Sequence, residues 1–124
     1  MKAKPVKRAQ ETDEYDVVHN VWAECSVKEA EAVILNIPVA FKRLQERIIP
    51  VIISGSRDKH EECVWSWNGD VNKPTLRPSI NTEFKWGEEQ TLHKCHSWVN
   101  DGMIQFLADS NHEQAGKTVE LLDV

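Results

Sequence analysis

The sequence predicts an α+β fold that is mainly antiparallel β: a small β-sandwich or half-barrel with one N-terminal helix packed across it. Three observations point there. From Ile48 to the end, short β-branched and apolar runs are separated by turn residues. Asp101-Gly102 stands between two alternating runs, a strong short-range hairpin signal. A single helix-start signature, Ser26 followed by Glu29, lies near the N-terminus.

At 124 residues the chain is long enough for one compact domain and too short for two. Residues 1–13 carry charge and Pro5 without apolar periodicity and are expected to be a disordered tail, with residues 14–124 as a single domain. Within Tyr15–Cys25, Val17, Val18, Val21 and Trp22 favour a strand. Ser26 and Glu29 have the form of a capping box, and Ala30, Val33 and Ile34 fall on one helical face, so a helix is expected up to Asn36, before Pro38. Ala40–Glu46 has room for a further short turn of helix.

From Ile48 the pattern changes. Ile48–Ser54 is a continuous apolar run of strand length, Gly55-Ser56-Arg57-Asp58 a turn, and Glu62–Trp67 a strand with Cys63, Trp65 and Trp67 on one face. Asn68-Gly69 marks a turn, Pro74 and Pro78 stiffen the approach to Ser79-Ile80, and Trp86–Glu89 reads as an exposed loop. Thr91–Val99 and Met103–Leu107 are the arms of a hairpin. A two-residue turn at Asp101-Gly102 pairs Val99 with Ile104 and His96 with Leu107, placing His96, Trp98, Met103 and Leu107 on one face. Asp109–Gly116 is a polar connection and Lys117–Leu122 a last strand.

Fifteen Lys and Arg against twenty Asp and Glu give a formal net charge of −5, which argues against broad nucleic-acid binding. No apolar run approaches the roughly 20 residues of a membrane helix, so a membrane role is not expected. The basic start MKAKPVKRAQ lacks the apolar run of a signal peptide. Three cysteines, an odd number without close pairing, fit a reducing compartment and thus the cytoplasm.

The chemically able side chains gather between Trp65 and Val99, together with four of the five tryptophans. Ser79 and His96 are the candidate catalytic pair: a serine hydroxyl needs an adjacent base, and imidazole suits that task near neutral pH. Asp70, Asp101 and Asp109 are all open as a supporting carboxylate, and backbone N–H groups near Ser79 are the expected oxyanion donors. Ser110 and His112 form a second candidate pair, with loop hydrogen bonding as their simpler role. The plainer reading makes Ser79 a turn residue and His96 a hydrogen-bonded strand residue. Trp65 and Trp67 read as core aromatics.

The ordered series W-x-W-N-G-D, K-P-T-L-x-P-S-I, C-H-S-W-V-x-D-G-x-I-x-F-L, D-S-x-H and A-G-K-T-V resembles a small domain family widespread in tailed phages and prophages, whose members often carry the misnomer "ammonia monooxygenase". More distantly it is similar to a peptidase-like domain of bacterial operons encoding ubiquitin-like conjugation systems. The resemblance runs from Ile48 to Val124. It implies a phage-encoded hydrolase of peptide, isopeptide or ester bonds, with Ser79 and His96 in shared motifs, acting on a host or phage protein in the host cytoplasm. The alternative is a non-enzymatic accessory protein that inhibits a host defence factor, with Tyr15–Arg47 as its contact surface. Many relatives carry a C-P-x-C pair before the W-x-W strand; here Ile53-Ser54-Gly55-Ser56 stands in its place. No cofactor is therefore expected. The alternative is a rearranged zinc site of His60, Cys63, Cys95 and His96, in which Cys95 and His96 would have to ligate from opposite strand faces.

Overall fold

The computed structural model describes residues 1–53 and 64–124. Nine strands hydrogen-bond in one sheet of order β2-β1-β3-β4-β5-β6-β7-β8-β9. They are β1 (Lys4–Thr12), β2 (Val18–Glu24), β3 (Ala32–Asn36), β4 (Glu46–Ile53), β5 (Trp65–Trp67), β6 (Leu76–Trp86), β7 (Thr91–Asn100), β8 (Met103–Phe106) and β9 (Thr118–Glu120). β4 and β5 run parallel, and every other pairing among the described residues is antiparallel. The expected turn at Gly55–Asp58 and the start of the Glu62 strand, with Cys63, lie outside the described residues, as does His60.

The strands share one buried cluster. Val33 and Leu35 of β3, Ile49 and Val51 of β4, Trp67 of β5, Ile104 and Phe106 of β8, and Leu121 all belong to it. A single sheet can bring residues this far apart in strand order into one core only by curling. A bridge between Asn36 and Leu122 ties the third strand to the segment after β9.

Two expectations about the N-terminal third are corrected. Residues 4–12 are not a tail: they form β1, paired with β2 on one side and β3 on the other. Ala3, Pro5 and Val6 are buried, while Lys7 reaches Glu29 at 2.8 Å and Arg8 lies over the Trp22 ring. The stretch has little intrinsic strand preference, and its order comes from partners distant in sequence. The N-terminal helix is also absent. Ser26 Oγ donates to the Glu29 carboxylate at 2.9 Å instead of accepting a backbone N–H, and only one 3₁₀ turn forms, Val27–Glu29. Beyond it the Glu31 N–H donates to Val6 O, and Glu31 O accepts from the Val51 N–H. Ala32, Val33 and Leu35 are then buried in a strand between β1 and β4. An apolar run of four residues, 32–35, suits a buried strand better than a helix, and tertiary pairing overrides helix propensity.

The other helical expectation is met by one short turn, α1 (Lys42–Gln45). The C-terminal hairpin has the expected register: Val99 pairs with Ile104, and the Leu107 N–H donates to His96 O at 2.8 Å. Asp101 and Gly102 have φ of 52° and 78°, the left-handed pair that a two-residue hairpin turn demands. Cys95, Ser97 and Val99 of β7 face the core, so His96, Trp98 and Asn100 project from the opposite face of the sheet.

Candidate active site

Ser79 reaches the outer face through a break in strand pairing. Leu76 pairs with Val99 and Ile80 with Ser97, so residues 77–79 bulge out opposite Trp98 alone. The Arg77–Pro78 peptide is cis. Leu76 and Ile80 both stay in the core, which leaves Ser79 pointing outward beside His96. The indole of Trp65, donating from Nε1 to Ser79 O at 3.3 Å, braces the bulge from β5.

Ser79 Oγ lies 3.0 Å from His96 Nε2. On the far side of the ring, His96 Nδ1 lies 3.0 Å from Asp109 Oδ2 and 3.3 Å from Oδ1. A carboxylate there can accept a hydrogen bond from Nδ1–H, in the tautomer whose bare Nε2 faces the hydroxyl. The hydrogen bond from His96, and after it that from Lys94, holds the Asp109 carboxyl below its ordinary pKa, so it stays ionised at neutral pH. Lys94 Nζ sits 3.2 Å from Asp109 and 3.1 Å from Glu83, forming a short charged ladder on the same face. The His96 side chain is 25% exposed and that of Asp109 47%, so the relay opens to solvent at its carboxylate end.

The backbone around His96 is held from the connection after β8. Ser110 is buried; its Oγ accepts from the His96 N–H at 2.9 Å and donates to His96 O at 3.0 Å. Asn111 continues the clamp along β7: its Oδ1 accepts from Lys94 N at 2.7 Å and its Nδ2 donates to Leu92 O at 2.7 Å.

The remaining sequence candidates divide cleanly. Of the three aspartates, Asp109 alone meets His96. Asp70 holds a turn, accepting from the N–H groups of Asn72 and Lys73 at 2.9 Å each. Asp101 sits in the hairpin turn, its N–H on Thr75 Oγ1. Ser110 and His112 are not a second pair. Ser110 serves His96, whereas the His112 ring packs edge-on against Phe106 and accepts from Gln114 N, and burial lowers its pKa. Of the alternative zinc set, Cys95 faces the core and His96 the outer face, and burial pushes the Cys95 thiol up to about 11. Among the described residues no group of three or more His, Cys, Asp or Glu is placed to hold a metal ion. Sequence reasoning missed Lys94, Asn111 and the Trp65 indole. Period-two alternation from His96 would have put Lys94 on the same face.

With this geometry in place, one comparison bears on it. Residues 49–107 match the family model of the bacterial ubiquitination-like system serine protease, BubE. The match covers just under half of the chain. It includes Ser79 and His96, and it ends two residues before Asp109. No curated protein and no solved structure matches the chain. Similarity to BubE supports the peptidase-like link drawn from the motifs, and it falls on the strands that carry the hydroxyl and the imidazole.

Proposed function

We propose that the protein is a serine hydrolase acting on peptide, isopeptide or ester bonds, with Ser79 as nucleophile, His96 as general base and Asp109 as the orienting carboxylate. The observation that carries this reading is the unbroken relay of Ser79 Oγ, His96 and Asp109, with both links at 3.0 Å. The likeness to the BubE family supports it independently.

In the proposed mechanism Ser79 Oγ attacks the substrate carbonyl while His96 Nε2 takes its proton. Asp109 stabilises the imidazolium and keeps the ring in the required tautomer. The best-placed oxyanion donor is the Ser79 N–H: Ser79 stands in the register of neither β5 nor β7, and Pro78 beside it has no N–H to offer. His96 then returns the proton to the leaving amine or alcohol, and water, activated by the same imidazole, releases the acyl group and restores Ser79.

A serine-directed fluorophosphonate followed by peptide mapping tests the assignment. Ser79 should be labelled at neutral pH, and His96→Ala should slow labelling by about a hundredfold or more, the usual range for a general base. Ser79 labelling at equal rates with and without His96 would refute the relay.

A further inference from the structure

Two residues along the chain from each member of the Ser79–His96 pair, Arg77 and Trp98 form the wall of a shallow pocket of about 290 Å3, completed by Asn100 and Gln105. Trp98 follows His96 on the outer face of β7, and Gln105 pairs with it across the hairpin. The Arg77 guanidinium lies over the Trp98 ring, 5.3 Å from its centroid. At about 3.3 Å of rise per residue, Trp98 lies about 7 Å along β7 from His96, the residue that meets the serine. That is the distance of a side chain one or two residues from the scissile bond in an extended peptide.

The chemistry of the pocket is set by how Arg77 is held. Nη1 donates to Leu76 O at 2.8 Å and to Val99 O at 3.2 Å, and Nη2 donates to Asn100 Oδ1 at 2.6 Å. These bonds fix the plane of the group. Nε takes no part in them, and a guanidinium edge of Nε and Nη2 is the arrangement that takes a carboxylate through two parallel hydrogen bonds. Among the described residues no carboxylate lies within ion-pairing distance of Arg77. Asp109, the carboxylate of the relay, has its charge shared between His96 and Lys94. Arg77 is therefore a cation that is held in place, stacked and exposed, without a carboxylate partner among the described residues, in a chain whose formal net charge is −5.

Resting on the hydrolase reading, we infer that this pocket is a substrate subsite for a carboxylate, and that the preferred substrate carries an acidic side chain one or two residues from the bond cut at Ser79. Most of the ordering cost of the arginine is met before the ligand arrives, so the subsite discriminates by charge and planarity without an induced rearrangement.

The test separates binding from turnover. Short alanine-based peptides bearing Glu, Gln or Lys two residues to either side of the central bond are titrated into the Ser79→Ala protein. The Trp98 indole N–H is followed by NMR and affinity by calorimetry. The Glu peptide should shift the Trp98 resonance and bind at least tenfold more tightly than the Gln peptide. Its advantage should shrink as salt is raised, as an exposed ion pair requires. Arg77→Glu should reverse the order in favour of Lys. Equal affinities for Glu and Gln, saturation that leaves Trp98 unmoved, absence of saturable binding by all three peptides, or an unreversed order in Arg77→Glu would each overturn the subsite. None of these depends on turnover, so failure of the fluorophosphonate experiment on the intact relay remains a separate result.

Discussion

Gly102 offers a perturbation whose size can be worked from geometry. It is buried, it has φ of 78°, and its backbone joins three segments. The Gly102 N–H donates to Pro74 O at 2.9 Å, and Gly102 O accepts from Leu121 N at 3.1 Å. A Cβ there would stand 3.2 Å from Asn72 O and 3.3 Å from Lys73 Cα, both backbone atoms. Those atoms cannot easily retreat, because Asp70 Oδ1 holds the N–H groups of both residues and Asn68 Nδ2 holds Lys73 O. Gly116 supplies the control: its φ is 79°, and a Cβ would meet nothing within 4 Å. Each alanine pays about 1–2 kcal/mol for left-handed backbone. Each also gains the same few tenths from a less flexible unfolded chain, which cancels in the comparison. Gly102→Ala carries in addition an overpacking cost of about 1–3 kcal/mol. Gly102→Ala should therefore be less stable than Gly116→Ala by about 2 kcal/mol, or about 8 °C in Tm at roughly 4 °C per kcal/mol for a chain of this size. Urea unfolding of the two variants with a common m-value measures the difference. Stabilities equal within about 0.5 kcal/mol would refute the close approach of the Asn72–Lys73 turn to the hairpin.

Three further outcomes follow from the site and its surroundings. Asp109→Asn should lower kcat on an ester substrate by about 10²–10³ with little change in KM, since an amide permits the wrong imidazole tautomer; the expected loss is below the roughly 10⁴ of a buried triad because this carboxylate is half-exposed. A decrease of less than about threefold would remove Asp109 from the relay. Cys95, its thiol pushed up to about 11 by burial, should resist iodoacetamide at pH 8 in the native protein and react once urea unfolds it, as read by peptide mapping; native alkylation at the rate of a free thiol would contradict its burial. Asp70 is held below its ordinary pKa of 3.8 by the Lys73 and Asn72 N–H groups, so its contribution to stability is fully present above pH 3.8 and is lost as pH falls through the lower folded value. The stability gap between wild type and Asp70→Asn should accordingly close on acidification, and a gap that stays constant down to the lowest pH would show the turn hydrogen bonds to be energetically silent.

What the sequence disclosed depended on how local the determinants were. The β7–β8 hairpin was legible down to its register, because Asp101-Gly102 admits one turn geometry and alternation then assigns each side chain to a face. The relay's first link was legible because Ser79 and His96 sit in recognisable motifs. The third member was one of three aspartates, since Asp109 reaches the ring only through the path of the connection after β8, which no local rule specifies. β1 and β3 were missed for a related reason. Lys4–Thr12 becomes a strand because β2 and β3 flank it, and the Ser26–Glu29 signature was satisfied by a side-chain contact and one turn while the next five residues were drawn into the sheet. The outward placement of Arg77 near Ser79 was not legible, because a bulge of three residues against one breaks the period that would have given it.

The hydroxyl of Ser110, gripping His96 at both its N–H and its C=O, couples the connection carrying Asp109 to the backbone carrying the imidazole. If that connection lifts away, the carboxylate leaves and the ring's backbone loses its brace in the same event, while the core beneath β7 remains packed. Such partial openings lie below the free energy of global unfolding. On gentle heating the competence of the serine should therefore fade before the sheet melts, in step with hydrogen exchange at the amides of His96 and Ser110 rather than with those of the buried core strands.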